Sequence, residues 1–121
     1  MSPVDEWFAA ARKRRLLVQT CAACGHGQHH PRAVCTSCGR TDRLGWTEAA
    51  GTGIVDSFTT VHRSPGPGFD PPYVIARVRL AEGPLLLTRI VGGEPRCDQH
   101  VRLDWWAQPD GGALPVFVPE D

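Results

Sequence analysis

The sequence predicts a mainly β protein with three parts: an N-terminal helix, a zinc ribbon, and a small closed or half-closed β-barrel of the OB type. Three observations carry this expectation. Two C-x-x-C-G knuckles stand near the start, at Cys21–Gly25 and Cys35–Gly39. Five short runs rich in β-branched residues, separated by turn signals, follow Gly51. The chain opens with residues that start a helix rather than a strand. The expected division is a helix and lead-in strand over 1–20, the ribbon over 21–47 and the barrel over 48–121.

The helix follows from Ser2-Pro3-Val4-Asp5. Ser2 is a capping residue, Pro3 suits the first helical position, and Asp5 and Glu6 favour the positive end of the helix dipole. Val4, Trp7, Phe8 and Ala11 then share one face. Trp7 and Phe8 are expected to pack on the rest of this chain, with docking of the helix to a partner as the alternative. Arg12-Lys13-Arg14-Arg15 reads as a solvated helix end, where cations are favoured, or else as an anion contact. Residues 16–20, short and apolar, lead as an extended segment into the first knuckle.

Cys21, Cys24, Cys35 and Cys38 are the predicted metal ligands. Two residues between cysteines let the chain curl so that both sulfurs face one ion. Gly25 and Gly39 meet the need for positive φ or close backbone approach after each knuckle. Four thiolates in a tetrahedron suit zinc, with iron as the main competitor. Two disulfides would require an oxidising compartment, and a redox C-x-x-C would require a βαβ context that this sequence lacks. A catalytic zinc keeps an open position, and four cysteines leave none, so the zinc is structural. His26, His29 and His30 lie within the metal loop and are expected at the surface.

The barrel strands are placed at 53–62, 73–80, 85–91, 100–105 and 114–118. In the second, Val74, Ala76, Val78 and Leu80 point one way and Arg77 and Arg79 the other. Pro115 puts the last strand at an edge or its own start. Ala81-Glu82-Gly83-Pro84 and Asp110-Gly111-Gly112 are turns, and the proline- and glycine-rich run over 64–72 is irregular.

The 13 basic and 13 acidic residues cancel, which argues against a protein whose main task is neutralising phosphates. No stretch is apolar enough to cross a bilayer, and Asp5 and Glu6 stand where a signal peptide carries positive charge. A cytoplasmic protein with reduced thiols is expected. No Ser–His–Asp pattern, phosphate loop or dinucleotide fingerprint stands out. His62, beside Arg63, is the one histidine worth testing for catalysis, and Cys97 is expected to be a small buried apolar residue.

Taken in order, these motifs resemble a known family along nearly the whole chain. They are Trp7-Phe8, residues 16–21, His30-Pro31-Arg32 before Cys35, and residues 51–55 opening the barrel. Phe58-Thr59, Val61-His62-Arg63, Pro72-Tyr73-Val74, Gly83 with Leu86-Leu87-Thr88, and residues 114–117 complete the set. The chain is similar to small bacterial and archaeal proteins with an N-terminal helix, a rubredoxin-like zinc ribbon and a C-terminal OB-fold, known as a domain of unknown function. Two departures stand out. Cys97-Asp98-Gln99-His100 replaces a frequent glycine turn, and Trp105-Trp106 is bulkier than the pattern.

The resemblance implies a non-catalytic accessory subunit. It would bind and support a thiolase-fold acyl-CoA enzyme, such as a thiolase, an acyltransferase or a steroid side-chain aldolase, and help form the CoA site. Some members of the family are fused to, or act beside, acyl-CoA hydratase-like domains. On that reading Arg32 and Arg63 are the CoA-contacting candidates, because CoA carries phosphates and an adenine; ordinary surface arginines are the alternative. Trp7, Phe8 and Tyr73 are candidate interface anchors, with internal packing as the alternative. The competing reading is a nucleic-acid-binding ribbon and OB module, against which the neutral charge balance weighs. No nucleic acid and no membrane are expected as partners.

Overall fold

The computed structural model describes residues 2–63, 66–67 and 70–120. Of the irregular proline- and glycine-rich run, Ser64, Pro65, Gly68 and Phe69 lie outside the described residues.

Helix α1 spans Pro3–Arg12 and starts as its residues require. The Asp5 N–H donates to the Ser2 hydroxyl at 3.2 Å, and the Ser2 N–H donates back to the Asp5 carboxylate at 3.2 Å. The apolar face divides. Trp7 is 6% exposed and Ala11 1%, while Val4 and Phe8 remain 43% and 48% exposed. The expectation that Trp7 and Phe8 both pack inward therefore fails for Phe8, because the helix leans on the rest of the chain through its Trp7–Ala11 edge. The Trp7 indole N–H fixes that lean by donating to the Leu17 carbonyl at 3.0 Å. The basic cluster stays exposed, as expected, and its two end residues contact the rest of the chain at the surface. Arg12 donates to the Asp110 carbonyl at 2.9 Å and Arg15 pairs with Glu48 at 2.8 Å.

The ribbon is a three-stranded antiparallel sheet of β1 (Leu17–Cys21), β2 (Gly27–Gln28) and β3 (Leu44–Glu48), ordered β2-β1-β3. β2 and β3 escape a pattern reading because neither is long enough to show alternation. β1 pairs along its whole length with β3, from Leu17 opposite Glu48 to Cys21 opposite Leu44.

The barrel strands are β4 (Thr52–Val61), β5 (Tyr73–Leu80), β6 (Leu85–Ile90), β7 (His100–Ala107) and β8 (Ala113–Pro119). They close in the order β4-β5-β6-β8-β7, with β7 returning to β4. β6 and β8 run parallel and every other pair is antiparallel, which is the Greek-key wiring of an OB barrel. Alternation in β5 is as expected: Ala76, Val78 and Leu80 are buried, and Arg77 and Arg79 exposed. Pro115 lies just before the β6–β8 pairing begins at Val116, where no N–H is needed on that side. Asp98 supplies the missing glycine's geometry with φ +65°, and its N–H donates to the Val55 carbonyl at 2.8 Å.

One apolar core joins all three parts. Trp7 and Ala11 from the helix, and Leu16 and Val18 from the lead-in, belong to the same cluster as Val55, Val78, Leu86, Val101 and Phe117 of the barrel. Among the described residues, no helix is long and apolar enough to cross a membrane.

Gly53 marks where β4 crosses closest to β5. A Cβ there would lie 2.5 Å from Val78 Cγ1 and 2.9 Å from the Arg79 carbonyl oxygen. Gly53→Ala is expected to destabilise the barrel by roughly 1–3 kcal/mol, the usual cost of overpacking, read as a lowered urea midpoint.

Candidate functional site

The first knuckle hangs from the end of β1 and the second lies in the loop between β2 and β3, and each closes on itself by the same pair of hydrogen bonds. In the first, the Gly25 N–H donates to Cys21 O at 2.8 Å and the Cys21 N–H to His26 O at 3.0 Å. In the second, the Gly39 N–H donates to Cys35 O at 2.9 Å and the Cys35 N–H to Arg40 O at 2.8 Å. Gly25 and Gly39 have φ of +79° and +80°, and a Cβ at either would touch nothing within 4 Å. Both glycines are therefore required for left-handed backbone, not for close approach.

The four sulfurs of Cys21, Cys24, Cys35 and Cys38 lie within 4.8 Å of one another. Cys21 and Cys38 are 3.8 Å apart and Cys24 and Cys35 3.6 Å. A tetrahedron with zinc–sulfur bonds of about 2.3 Å has edges of about 3.8 Å, so the spacing fits one zinc ion. It is far longer than a disulfide bond of about 2.05 Å. Backbone N–H groups, that of Cys38 first, hold the Cys35 thiol down to about 6. At Cys38 the Arg40 N–H also favours the thiolate, but desolvation and the crowding of the other sulfurs outweigh it and push the thiol up to about 11. Four adjacent thiolates repel, and a divalent cation removes the conflict.

Two buried glutamines hold the second knuckle against the first, and no sequence pattern marked them. Gln19 and Gln28 are 3% and 5% exposed. Gln19 Oε1 accepts from Gln28 Nε2 and from the Arg32 N–H, both at 2.7 Å, and Gln19 Nε2 donates to the Arg32 carbonyl at 2.8 Å. Gln28 Oε1 accepts from the Thr36 N–H at 3.0 Å and from the Thr36 hydroxyl at 3.1 Å. The Thr36 hydroxyl in turn lies 3.1 Å from His26 Nε2, which donates to it. The one available signal was the amide side chain at strand positions facing a metal loop, and it says nothing about partners.

The histidines of the loop are not all surface residues. His30 is exposed, but His29 is half-buried, with its ring 5.5 Å from that of Trp7. Burial first, and the charge of His30 second, lower His29 from 6.5 to about 4. Cys97 is exposed, contrary to expectation, because it lies in the turn that Asp98 closes rather than under the sheet. His62 is exposed beside Arg63. Arg63 opens the β4–β5 connection, and the side chain of Arg32 is exposed although its backbone is clamped by Gln19. Among the described residues, no hydrogen bond or ion pair joins these two arginines.

Cys35→Ser removes a buried ligand. The variant is expected to lose its zinc and the ribbon's fold together, read by elemental analysis and by collapse of the β1–β3 amide signals. His29 adds a pH dependence. Its folded value lies below its unfolded one, so its contribution is complete above pH 6.5 and is lost as pH falls toward 4. In zinc-loaded protein, the urea midpoint of His29→Gln is expected to fall less steeply than that of the native chain over this window.

The comparisons with known proteins cover both parts. Residues 8–42 match the ChsH2 rubredoxin-like zinc ribbon domain, and residues 46–105 the ChsH2 C-terminal OB-fold domain. A solved structure described as an Ltp2-ChsH2(DUF35) aldolase superposes with a TM-score of 0.86 at 44% identity, over 95% of this chain and 92% of that one. A probable enoyl-CoA hydratase alpha subunit of Thermomonospora curvata is 45% identical over 118 residues, 93% of this chain. This chain spans only 36% of that subunit's length. A DUF35 domain-containing scaffold protein of Methanothermobacter thermautotrophicus is 29% identical over 94 residues, 76% of this chain and 70% of that protein. A DUF35 protein of unknown function from Sulfolobus solfataricus, at 19% identity and a TM-score of 0.63, shares the fold. With its structural zinc held by four cysteines and its OB barrel beside it, the chain belongs to the ChsH2, or DUF35, family.

Proposed function

We propose that this chain is a non-catalytic scaffold subunit of an acyl-CoA enzyme. It would bind a thiolase-fold partner that carries out the chemistry. The observation that carries the reading is the near-complete match to the ChsH2 chain of an aldolase, at 44% identity over 92% of that chain. The names of the other relatives, a hydratase subunit and a scaffold protein, support the same class of role.

The chain's own chemistry is in keeping. Its metal has four sulfur ligands and no open position for substrate. Its shared core makes the ribbon and barrel one rigid body, suited to presenting two surfaces at once. The reduced thiolate cluster belongs in a reducing compartment, so we place the protein in the cytoplasm.

In this reading Arg32 and Arg63 supply positive charge to the phosphates of a shared CoA thioester. Both side chains are exposed, and neither is engaged in an ion pair among the described residues. Arg32 has the better-fixed backbone. Of the anchor candidates Trp7 and Tyr73 are buried within the chain, so Phe8, left uncovered with Val4, is the apolar anchor available to the partner.

The test is to express the chain with and without a neighbouring thiolase-type gene product, and to assay C–C bond cleavage or formation on a CoA thioester. The chain alone is expected to be inactive, and the partner alone insoluble or poorly active. Arg32→Ala and Arg63→Ala are each expected to raise KM for the thioester several-fold with the complex intact. Turnover by the isolated chain would refute the scaffold reading. An unchanged KM in both variants would refute only the CoA contacts.

A further inference from the structure

An open cavity of about 310 Å³ lies between α1, the turn at residues 29–31, and the outer faces of β5, β6 and β8. Its volume is that of a small-molecule site. Val4, Phe8, Ile75, Leu87, Trp106 and Leu114 supply apolar wall. Leu87, at 69% exposed, stands at the rim with Val4 and Phe8, so apolar surface continues out to solvent.

The cavity's charge is one-sided. Among the described residues no aspartate or glutamate lines it, His29 is held neutral by burial, and Arg89 is the one fixed charge. Arg89 is half-buried, with its guanidinium 5.3 Å from the Tyr73 ring centre and 5.1 Å from that of Trp106. Among the described residues its buried Nε has no hydrogen-bond partner and no carboxylate pairs with it. Aromatic faces steady a guanidinium, but they do not satisfy its N–H donors. A partly desolvated cation without a counter-anion, set in an apolar wall, favours an anion brought by something apolar.

We infer that this cavity is a binding site for a small carboxylate with an apolar body, its carboxylate on Arg89 and its chain or ring against Phe8, Ile75, Leu87 and Trp106. The site is lined by residues of this chain, but it shares Val4 and Phe8 with the surface proposed above for a partner, so its test uses the chain alone.

The test titrates decanoate, decanol and decylamine into the zinc-loaded full-length protein, following tryptophan fluorescence and backbone amide shifts. Trp7 and Trp106 both line the cavity and report on it. Decanoate is expected to saturate with a Kd below about 1 mM and to bind about tenfold tighter than decanol, with decylamine weakest. Arg89→Met keeps an apolar stem and is expected to bring decanoate to the decanol level while leaving decanol unchanged. Leu87→Glu changes an exposed rim residue, and so spares the core. It is expected to weaken decanoate more than decanol, and it decides the matter should Arg89→Met fail to fold. No saturable binding, equal affinity for decanoate and decanol, or a folded Arg89→Met that still prefers the carboxylate would each overturn the inference.

Discussion

The four-thiolate zinc site is the constraint on which the rest depends. The ribbon has strands of five, two and five residues, and outside β1 little of it is buried except at the metal loop. A segment this short cannot offset its own chain entropy by burial. Zinc supplies the missing free energy by tying residue 21 to residue 38 through one ion. With the knuckles fixed, β1 has a defined end, and the Gln19–Gln28 network has a rigid loop to bond to. Without that closure the buried amides of both glutamines would lose partners at once, and an unpaired buried amide is costly.

The ordering passes from the ribbon into the helix and barrel along a short path. β1 fixes the Leu17 carbonyl, which receives the Trp7 indole N–H and so sets the position of α1. Leu16 and Val18, on either side, enter the apolar cluster of the barrel. The three sequence segments are thus structurally one unit with one core. Arg12 completes the loop by reaching the β7–β8 turn, so the middle and the C-terminal end of the helix are tied to different parts of the fold. For the scaffold role proposed above, this shared core would keep surfaces on the ribbon and on the barrel in a fixed relation.

This arrangement also changes what the OB barrel offers. Its β5–β6 face, the surface on which OB-folds commonly take ligands, is flanked here by α1 and the loop that follows β2. The flanking converts an open sheet into an apolar recess with one arginine, Arg89, in its wall. Such a surface is poorly suited to a phosphate backbone, which asks for several cations along a groove. It is better suited to apolar matter.

The sequence by itself determined the zinc ligands, because C-x-x-C spacing is a local property and each knuckle closes within six residues. It determined four of the five barrel strands to within one residue at each end and the fifth, β7, to within two, since period-two burial and turn residues are also local. The cap on α1 was legible for the same reason. Only the tertiary structure decided which side of the helix is covered, because Trp7 and Phe8 are adjacent in sequence and equally apolar. Their difference comes from the Leu17 carbonyl, ten residues away. Only the tertiary structure set two buried glutamines against a metal loop, made His29 a packing residue, exposed Cys97, and brought Arg89 between Tyr73 and Trp106. Each of these depends on contacts between strands distant along the chain, where side-chain chemistry gives the kind of partner required and barrel closure alone chooses which one is near.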